Sequence, residues 1–375
     1  MKILYVRNDD IDKSHYTTSQ VETIKALRDK NLDARLMIKG NKKSELPYLI
    51  IIKNPFKKNR YYRLIIFFYL PYYIIKNRIE YVVIDADTVI SSLLLMPLRK
   101  IFSFKIILDV RIVPVEYVKV LFRRKLSYKI STILCDAAIF ITEATKEVCE
   151  KEYGLLFKKT VIITSAANEK IFNKDVQIKL EKRIIEKLKG RFVIFYHGTI
   201  SPNRGIQLIL DAVNLLKEKI PEILFLSISD NNNFLINYCV ENKYDLNDHI
   251  IYMETQKNTV MPQYIKLADI GIIPYTRIQW WEISSPLKLM EYMSMEKPIV
   301  LSDIKAHTDV VPCNSDFVVY FNPDKRNELA EKILFAYENL DKLKKNSWKG
   351  RNIILENYTW DKLADKLYNF FQSFN

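Results

Sequence analysis

The sequence is poor in glycine, cysteine and histidine, and these shortages exclude several classes of site. Its 375 residues include 7 glycines, 4 cysteines and 4 histidines. The cysteines are far apart and form no Cys-x-x-Cys pair, so we expect free, buried or half-buried thiols in a reducing cytosol. The scattered histidines suggest no metal site, and no cofactor is expected. Because glycine is scarce, each glycine within a motif is more informative than usual.

Long hydrophobic runs are also absent. The longest, Leu64 to Ile75, has about 12 residues and contains Pro71, whereas a membrane-spanning helix needs ~20. The first residues, Lys2 to Val6, have the pattern of a strand and lack the features of a cleavable signal peptide. We therefore predict a cytoplasmic protein that does not span the membrane.

Positive charge is in excess, with a formal net charge of +14. Such a chain is attracted to nucleic acid, to an acidic membrane surface or to phosphorylated small molecules. The sequence has no zinc-finger spacing, basic zipper or RNA-recognition signature, which argues against nucleic acid as the partner.

Short β-branched runs alternate with amphipathic segments along the chain, a pattern typical of parallel sheets covered by helices on both faces. In the first half the predicted strands are Ile3–Val6, Ala34–Ile38, Tyr81–Asp85, Lys105–Asp109, Ala138–Thr142 and Val161–Thr164. In the second half they are Phe192–Tyr196, Ile223–Ser227, Ile250–Met253, Asp269–Ile273, Pro298–Leu301 and Phe317–Tyr320. Helices are predicted over Thr18–Lys30, Thr88–Lys100, Val115–Leu134, Asp175–Lys189, Arg204–Lys219 and Thr359–Phe371.

This repetition predicts two doubly wound, Rossmann-like α/β domains. We assign residues 1–172 to an N-terminal domain and residues 173–355 to a C-terminal domain. Residues 356–375 are assigned to a helix packing back on the N-terminal domain, although its pattern fits either domain. Because open parallel sheets bind ligands beyond the carboxyl ends of their strands, we expect the site in a central cleft that the two sheets face.

The loop from Tyr196 to Gly205 follows a predicted strand and opens a helix. Gly198 allows a ligand to approach the backbone, and the helix start offers free N–H groups to a phosphate. Arg204 can donate two charge-assisted hydrogen bonds to a diphosphate in bidentate geometry. Thr199 and Asn203 lie in the same loop. The alternative is an ordinary strand–turn–helix with a solvated arginine.

A second candidate segment runs from Glu282 to Met293. We predict a helix with Ser285 as N-cap and Pro286 at its first position, so that Leu287 and Lys288 lie at an anion-binding helix start. Glu291, three residues after Lys288, shares its helix face and can accept ribose hydroxyls. The alternative is a surface Lys–Glu pair on an amphipathic helix.

These segments together resemble the retaining GT-B glycosyltransferases of family 4 (glycosyl transferases group 1). The resemblance covers residues ~190–370 in order. It includes the loop Gly198–Gly205, the segment Met261–Tyr275, Ser284–Met293 followed by Glu296–Val300, and the ending Asn357–Trp360. It implies a GT-B fold in which the N-terminal domain, residues 1–172, binds the acceptor and the C-terminal domain, residues 173–355, binds the nucleotide sugar. It also implies a metal-independent, retaining transfer of a sugar from a nucleotide-diphosphate donor.

The resemblance also implies residue roles. Arg204 and Lys288 would bind the diphosphate and stabilise the leaving group, and Glu291 would bind the ribose. The backbone of Ser285 to Leu287 would contact the phosphates, and Gly198 would lie beside the sugar phosphate.

The sequence departs from the family pattern at two places. The family often has a second glutamate eight positions before the residue matching Glu291, but Ile283 is there. Glu282, nine positions before Glu291, is off register, and we count it as a donor-site candidate without assigning it the role of the missing carboxylate. A basic residue common shortly after Arg204 is replaced by Gln207 and Leu208.

The N-terminal half contains no identifiable general base. The glycine-rich loop that such enzymes often have after strand one is missing, as is a histidine after a middle strand. Polar residues that follow predicted strands are the acceptor-side candidates, with structural capping as their alternative role: Asp9, Asp10, His15, Asp109 and Arg111.

Basic residues surround the aromatic run Leu64–Ile75. Seven lysines and arginines and no acidic residue lie between Lys53 and Arg78, and a second acid-free cluster runs from Lys119 to Lys129. This composition suits a helix on the anionic inner face of the cytoplasmic membrane and a saccharide acceptor that is lipid-linked. A core helix with a solvated rim is the alternative.

The resemblance and the basic surface together indicate a hexosyltransferase of bacterial surface polysaccharide synthesis, such as O-antigen (lipopolysaccharide) or capsule. Two alternatives remain, a nucleotide-sugar epimerase and a non-catalytic sugar-nucleotide-binding homologue.

Overall fold

The computed structural model describes residues 1–11, 18–41, 46–53, 59–113 and 122–374. The chain forms two compact units, one from Met1–Ser165 with Trp360–Asn375 and the other from Ala166–Thr359. The sequence-based boundaries, at 172/173 and 355/356, differ from these. The first boundary lies earlier because Ala167 and Phe172 belong to the core of the second unit. The second lies later because Thr359 pairs with Ala167 in an isolated parallel bridge.

Each unit contains one sheet whose strand pairs are all parallel. Unit 1 has seven strands in the order β3-β2-β1-β4-β5-β6-β7: β1 (Lys2–Asp10), β2 (Asp33–Lys39), β3 (Leu49–Ile52), β4 (Tyr81–Asp85), β5 (Lys105–Val110), β6 (Ala137–Phe140) and β7 (Thr160–Ile162). Unit 2 has six strands in the order β10-β9-β8-β11-β12-β13: β8 (Phe192–His197), β9 (Ile223–Ser229), β10 (Ile250–Glu254), β11 (Ile270–Ile273), β12 (Ile299–Ser302) and β13 (Val318–Phe321).

Helices connect the strands and cover the sheets. In unit 1 they are α1 (Thr18–Asp29), α2 (Asn59–Asn77), α3 (Leu95–Phe102), α4 (Phe122–Leu134) and α5 (Glu143–Tyr153). In unit 2 they are α6 (Lys182–Leu188), α7 (Ile206–Leu216), α8 (Asn232–Glu241), α9 (Met261–Leu267), α10 (Gln279–Glu282), α11 (Leu287–Ser294), α12 (Lys305–Thr308), α13 (Glu328–Glu338), α14 (Leu340–Asn346) and α15 (Trp348–Asn357). The last helix, α16 (Trp360–Gln372), returns to unit 1.

The prediction of two Rossmann-like parallel sheets is confirmed. Strands such as β4, β8 and β9 are buried along almost their whole length, which is why their sequences are continuous apolar runs. The four-residue strand β3 was not predicted from the sequence. The stretch before it is short and polar and has no helical pattern, so the alternation of strands and helices that located the other strands is interrupted there.

Two predicted helices are shorter than expected. The helix predicted over Asp175–Lys189 exists only as α6, because Val176 and Leu180 pack against the core of unit 2 outside any helix. The helix predicted over Thr88–Lys100 is divided into a 3-10 turn at Ile90–Ser92 and α3. Of the helix predicted over Val115–Leu134, only α4 lies within the described residues.

The C-terminal helix α16 packs against α1 and β4. The Tyr81 hydroxyl donates a 2.9 Å hydrogen bond to the carbonyl of Phe371, and the two rings lie 5.0 Å apart. On the α1 side, Lys30 forms ion pairs with Asp361 at 3.0 Å and Asp365 at 2.6 Å.

Strand order reverses once in each sheet, between β1 and β4 in unit 1 and between β8 and β11 in unit 2. Such switch points are where open α/β sheets bind ligands, beyond the carboxyl ends of the strands. The side chains that follow β8 and β11, and those that end β1 and β4, are therefore the first candidates for contact with a ligand.

Candidate functional site

Arg204 and Lys288 lie together at the switch point of unit 2, as the sequence motifs predict. Lys288 Nζ is 3.2 Å from the hydroxyl of Tyr275, and Arg204 Nη1 is 3.5 Å from the same oxygen. Tyr275 follows β11, Arg204 ends the loop after β8, and Lys288 lies in the first turn of α11. Three separate chain segments thus converge on one phenol oxygen.

Aromatic rings hold the two cations in place. Lys288 Nζ lies 5.1 Å from the ring centre of Tyr196 and 5.6 Å from that of Tyr275. The Arg204 guanidinium lies 4.8 Å from the ring of Trp281, which stacks on Tyr275 at 4.4 Å. Cations over aromatic faces are attracted by the ring quadrupole, so the aromatic groups offset part of the repulsion between the two positive charges.

The electrostatics of the cluster favour anion binding. Burial lowers the pKa of Lys288, but the neighbouring Tyr196 and Tyr275 outweigh it, so the pKa is raised and the lysine stays charged. Burial raises the pKa of Tyr275, and Lys288 and Arg204 together overcome that effect and lower it. Two fixed cations in a buried site attract a phosphate more strongly than they would in water.

Two glycines shape the loop after β8. Gly198 has φ +103°, and a Cβ there would lie 3.0 Å from Lys288 Cε. Gly205 has φ +69°, and its Cβ would lie 1.8 Å from the carbonyl oxygen of Pro274. Gly198 therefore allows Lys288 to lie against the loop, and Gly205 allows β11 to approach the start of α7.

The predicted donor-loop residues Thr199 and Asn203 stabilise this loop by their contacts. Thr199 Oγ1 bonds Asp230 at 3.1 Å, and the Thr199 carbonyl accepts the Tyr196 hydroxyl at 2.8 Å. The Asn203 carbonyl accepts Trp281 Nε1 at 2.6 Å and Thr276 Oγ1 at 2.8 Å. Asn203 therefore connects the loop to the segment that carries Tyr275 and Trp281.

The start of α11 corrects one prediction. We expected Ser285 as N-cap and Pro286 at the first helical position, but the helix begins at Leu287 and Pro286 occupies the cap position. The Pro286 carbonyl accepts the Leu289 amide at 3.0 Å. Since Pro286 has ψ +88° rather than a helical value, the turn opens one residue later. The first amides of a helix have no acceptor within it, and here they are those of Leu287 and Lys288.

Glu291 is buried beside a histidine that sequence reasoning did not select. Its side chain is 4% exposed, and Oε2 lies 3.3 Å from Nε2 of His197, whose ring stacks on Phe195. Neither of these two atoms has a hydrogen bond of good geometry among the described residues. A buried carboxylate oxygen without such a hydrogen bond can accept one from a ligand hydroxyl.

Glu282 has a different set of partners from the one expected. One carboxylate oxygen accepts the backbone amide of Lys305 at 2.6 Å, at the start of α12, and the other lies 3.3 Å from Arg277. Arg277 also pairs with Asp303 and Asp324. Within the described residues these contacts involve neither Arg204 nor Lys288, and we leave Glu282 out of the donor site.

A second charged cluster lies at the switch point of unit 1. Arg7 contacts three carboxylates, those of Asp9 and Asp85 at 3.3 Å and that of Asp109 at 3.4 Å. Arg111 Nε pairs with the other oxygen of Asp109 at 2.8 Å. Burial raises the pKa of Asp85, opposed by Arg7.

The acceptor-side candidates have different positions relative to this cluster. Asp109 and Arg111 are two of its five members, and Asp9 is its most exposed one, with 40% of its side chain exposed. Asp10 ends β1 opposite Lys39 of β2, and His15 lies outside the described residues. The sequence analysis missed Arg7 and Asp85 here, and Tyr275, Trp281 and His197 in unit 2. Asp85 and Tyr275 end or directly follow strands at the switch points, a rule that could have found them.

Two further structural findings concern the described part of the chain. No group of three or more His, Cys, Asp or Glu residues there is arranged to hold a metal ion. None of the helices there has the length and apolar character required to cross a bilayer.

Residues 191–339 match the family model described as glycosyl transferases group 1. The match includes β8 to β13 and therefore all residues of the Arg204–Lys288–Tyr275 cluster.

A curated relative is spore coat protein SA of Bacillus subtilis (strain 168), 21% identical over 209 residues. That alignment covers 53% of this chain and 54% of the relative, so the chain spans about half the length of the relative it matches.

Solved structures resemble the whole chain. A glycosyltransferase from Rickettsia africae ESF-5 has a TM-score of 0.77 at 16% identity, with 99% of this chain and 98% of that chain covered. HepE from Anabaena in complex with UDP-glucose has 0.75 at 14%, with both chains fully covered. Sucrose-phosphate synthase from Thermosynechococcus elongatus has 0.76 at 13%, with 100% and 98% covered. At these identities the likeness establishes the shared fold.

Proposed function

We infer that this chain, a GT-B protein whose residues 191–339 match the family model described as glycosyl transferases group 1, is a glycosyltransferase that uses a nucleoside-diphosphate sugar. The observation that carries the proposal is the convergence of Arg204 and Lys288 on the Tyr275 hydroxyl at the switch point of unit 2. Two charged donors at one point suit the diphosphate of such a donor.

In this proposal the cations act on the leaving group. As the bond between sugar and phosphate breaks, negative charge collects on the diphosphate and the sugar becomes oxocarbenium-like. Arg204, Lys288 and the first amides of α11 stabilise that charge, and Gly198 lets the sugar phosphate lie close to the loop. Thr199 and Asn203 fix the loop, with Ser285 and Pro286 leading into the helix start. Metal independence and retention of configuration follow from the family resemblance.

Glu291 is the proposed ribose ligand. Among the described residues, one oxygen of its buried carboxylate has no hydrogen bond of good geometry, and Glu291 lies one helical turn after Lys288. Because solved structures of similar fold are complexes with UDP and UDP-glucose, uridine nucleotides are the first donors to test. The ligand screen described below determines the base and the sugar.

We propose that the acceptor is a saccharide carried on a lipid, and that unit 1 binds it. The cluster of Arg7, Asp9, Asp85, Asp109 and Arg111 offers carboxylate and guanidinium groups at a switch point, where saccharide hydroxyls can be hydrogen-bonded. Assembly of a bacterial surface polysaccharide is the matching role for such an acceptor.

The exposed face of α2 is the proposed membrane contact. Leu64, Phe68, Tyr72 and Ile75 form an exposed apolar stripe at helical spacing, with Phe68 69% exposed. No acidic residue occurs from Leu46 to Ile79, whereas Lys53, Lys76 and Arg78 are exposed and basic. Ile101 and Phe102 of the contacting helix α3 are exposed as well. Apolar side chains with a basic surround bind anionic bilayers.

A thermal-unfolding screen of UDP-, GDP-, dTDP- and CMP-sugars tests the donor proposal. A ligand present at 100 times its dissociation constant stabilises the folded state by about 2.7 kcal/mol, so one nucleotide class is expected to raise the melting temperature by several degrees. Incubation of that donor with and without a lipid-linked saccharide then separates the activities. Transfer that requires acceptor supports the proposal, conversion of the donor without acceptor indicates an epimerase, and binding without turnover indicates a non-catalytic homologue.

Flotation with vesicles tests the membrane proposal. We expect the protein to float with phosphatidylglycerol vesicles and not with neutral phosphatidylcholine vesicles. Phe68→Glu is expected to weaken binding at least tenfold, since burying one phenylalanine contributes about 1.5–3 kcal/mol. The matched control is Phe335→Glu, an exposed phenylalanine of α13 in unit 2. Equal flotation of both variants would contradict the assignment of α2.

A further inference from the structure

The Tyr275 hydroxyl lies between the two cations of the donor site. It is 3.2 Å from Lys288 Nζ and 3.5 Å from Arg204 Nη1. Ammonium and guanidinium groups have hydrogens to donate and no lone pair to accept. The phenol oxygen must therefore be the acceptor in both contacts, and its own hydrogen has to point elsewhere.

That hydrogen has no acceptor in the part of the chain that the structure describes, where both hydrogen bonds of Tyr275 are received from cations. A phenol buried this deeply normally donates to a carbonyl or carboxylate. Tyr196, beside it, donates to the Thr199 carbonyl at 2.8 Å. The Tyr275 hydroxyl, unlike that of Tyr196, is therefore available to donate a hydrogen bond to a ligand.

We propose that Tyr275 is a third diphosphate-binding group of this site: its hydroxyl accepts hydrogen bonds from Lys288 and Arg204 and donates its own to a phosphate oxygen held between them. This inference depends on the proposed use of a nucleoside-diphosphate donor. It adds a neutral donor whose direction is set by the same two cations that attract the ligand.

The ring of Tyr275 is held rigidly enough for that role. It stacks on Trp281 at 4.4 Å, and Trp281 is fixed by its 2.6 Å hydrogen bond to the Asn203 carbonyl. The centre of the His307 ring lies 5.7 Å from the centre of the Tyr275 ring. A preorganised donor needs no rearrangement as charge develops on the leaving group, which is the condition for effective electrostatic stabilisation.

The charges around Tyr275 make its contribution depend on pH. Burial raises the pKa of Tyr275, whereas Lys288 and Arg204 lower it further than burial raises it, and Glu291 opposes them. His307, whose ring lies 5.7 Å from that of Tyr275, is neutral at pH 7 because burial lowers its pKa to about 4. The pKa of Tyr196 is raised by its burial, so Tyr275 is the first phenol of the cluster to ionise. Ionisation would remove the donor and place a negative charge where the diphosphate binds.

The test uses the nucleoside diphosphate that binds best among UDP, GDP, dTDP and CDP, with the full chain. Tyr275→Phe keeps the ring and its stacking and removes the hydroxyl. We expect a tenfold to hundredfold loss of affinity, as is typical of a hydrogen bond to a charged group. Tyr244→Phe is the matched control, because its half-buried hydroxyl bonds Asp211 at 3.0 Å outside this cluster. The control is expected to bind as the unchanged protein does.

A spectroscopic titration separates the proposed contact from a structural effect. Tyrosinate absorbance should show one phenol that ionises below the others, absent in Tyr275→Phe and present in Tyr244→Phe. Saturating diphosphate should move that ionisation to higher pH, because the ligand binds the protonated phenol. An ionisation that the ligand leaves unchanged, with equal affinity of Tyr275→Phe, would overturn the inference while leaving the donor site intact. Absence of binding by the unchanged protein to all four diphosphates would overturn the proposed function and this inference together.

Discussion

At the residue scale, the glycine Gly198 matters for the space it leaves as well as for its backbone angle. Its φ of +103° is a conformation that side chains other than glycine rarely adopt, and the missing Cβ leaves room for Lys288 at 3.0 Å. Gly190 has a similar positive φ of +74°, but nothing lies within 4 Å of the position its Cβ would take. A comparison of alanine variants at these two positions therefore distinguishes the effect of backbone strain from the effect of displacing Lys288.

We predict that Gly198→Ala lowers nucleoside-diphosphate affinity by tenfold or more, because the added methyl group displaces Lys288. Gly190→Ala carries a backbone strain of order 1–3 kcal/mol and is expected to leave that affinity unchanged. Calorimetric titration of both variants measures the difference. Equal affinities would show that Lys288 does not depend on the space at Gly198.

His307 gives unit 2 a sensitivity to acid. Burial lowers its pKa from 6.5 to about 4, and its Nδ1 donates a 2.8 Å hydrogen bond to the Ser302 carbonyl. The unfolded chain takes up a proton near pH 6.5 and the folded chain only near pH 4. Stability from this residue is therefore complete above about pH 6.5 and is lost as the pH falls toward about 4.

We predict that this histidine removes about 2 kcal/mol of unfolding free energy between pH 7 and pH 5. His307→Gln can retain a donor to the Ser302 carbonyl and does not titrate, so its loss over the same interval should be smaller by that amount. Urea unfolding of the two proteins at both pH values checks the prediction. Parallel losses would contradict a neutral buried imidazole.

At the scale of elements, the hydrophobic pattern of the sequence predicted the buried strands. It failed for a segment whose conformation is decided by its contacts with the rest of unit 2. The runs that became β4, β8 and β9 are apolar throughout because both of their faces are covered, and they could be located from the sequence. The segment around Val176 and Leu180 has helical periodicity as well, but its apolar side chains are used outside any helix against the core of unit 2. A periodic pattern does not show against which surface its apolar side chains will pack.

The candidate site shows the same limit. Arg204 and Lys288 belong to motifs of local sequence, and such motifs can be recognised from the order of residues alone. Tyr275 and His197 act through partners from other strands and helices, such as Trp281 and Glu291. Arg7 became notable only when the sheet order placed β1 beside β4, next to Asp85. Sequence alone does not give that order.

The helix α16 is expected to be part of the stability of unit 1. Leu367 is fully buried on its inner face, and Lys366 is exposed next to it. Leu367→Ala should lower the free energy of unfolding of unit 1 by about 2–5 kcal/mol, the usual range for a buried leucine, and Lys366→Ala by less than about 0.5 kcal/mol. Urea denaturation measures both, and equal effects would show that α16 does not pack as described.

At the scale of the whole molecule, the chain crosses between its units twice, near Ser165 and near Thr359. Unit 1 is thus discontinuous in sequence, whereas unit 2 is one continuous segment that carries the cation cluster. The net charge of +14 attracts both anionic partners of the proposal, a nucleoside diphosphate and an acidic bilayer. Raised salt should therefore weaken both interactions, the exposed membrane contact more than the buried diphosphate pocket.

The central claim is that Arg204 and Lys288 of unit 2 together bind the diphosphate of an activated sugar. Its most direct test is calorimetric titration of the best-binding nucleoside diphosphate into the unchanged protein, Arg204→Ala, Lys288→Ala and the control Lys305→Ala, whose side chain pairs with Asp309 on the surface. We predict that each of the first two variants loses affinity by about a hundredfold, in keeping with the cost of removing one member of a charged, buried hydrogen-bonding group, and that the control binds normally. Undiminished binding by folded Arg204→Ala and Lys288→Ala would contradict the claim.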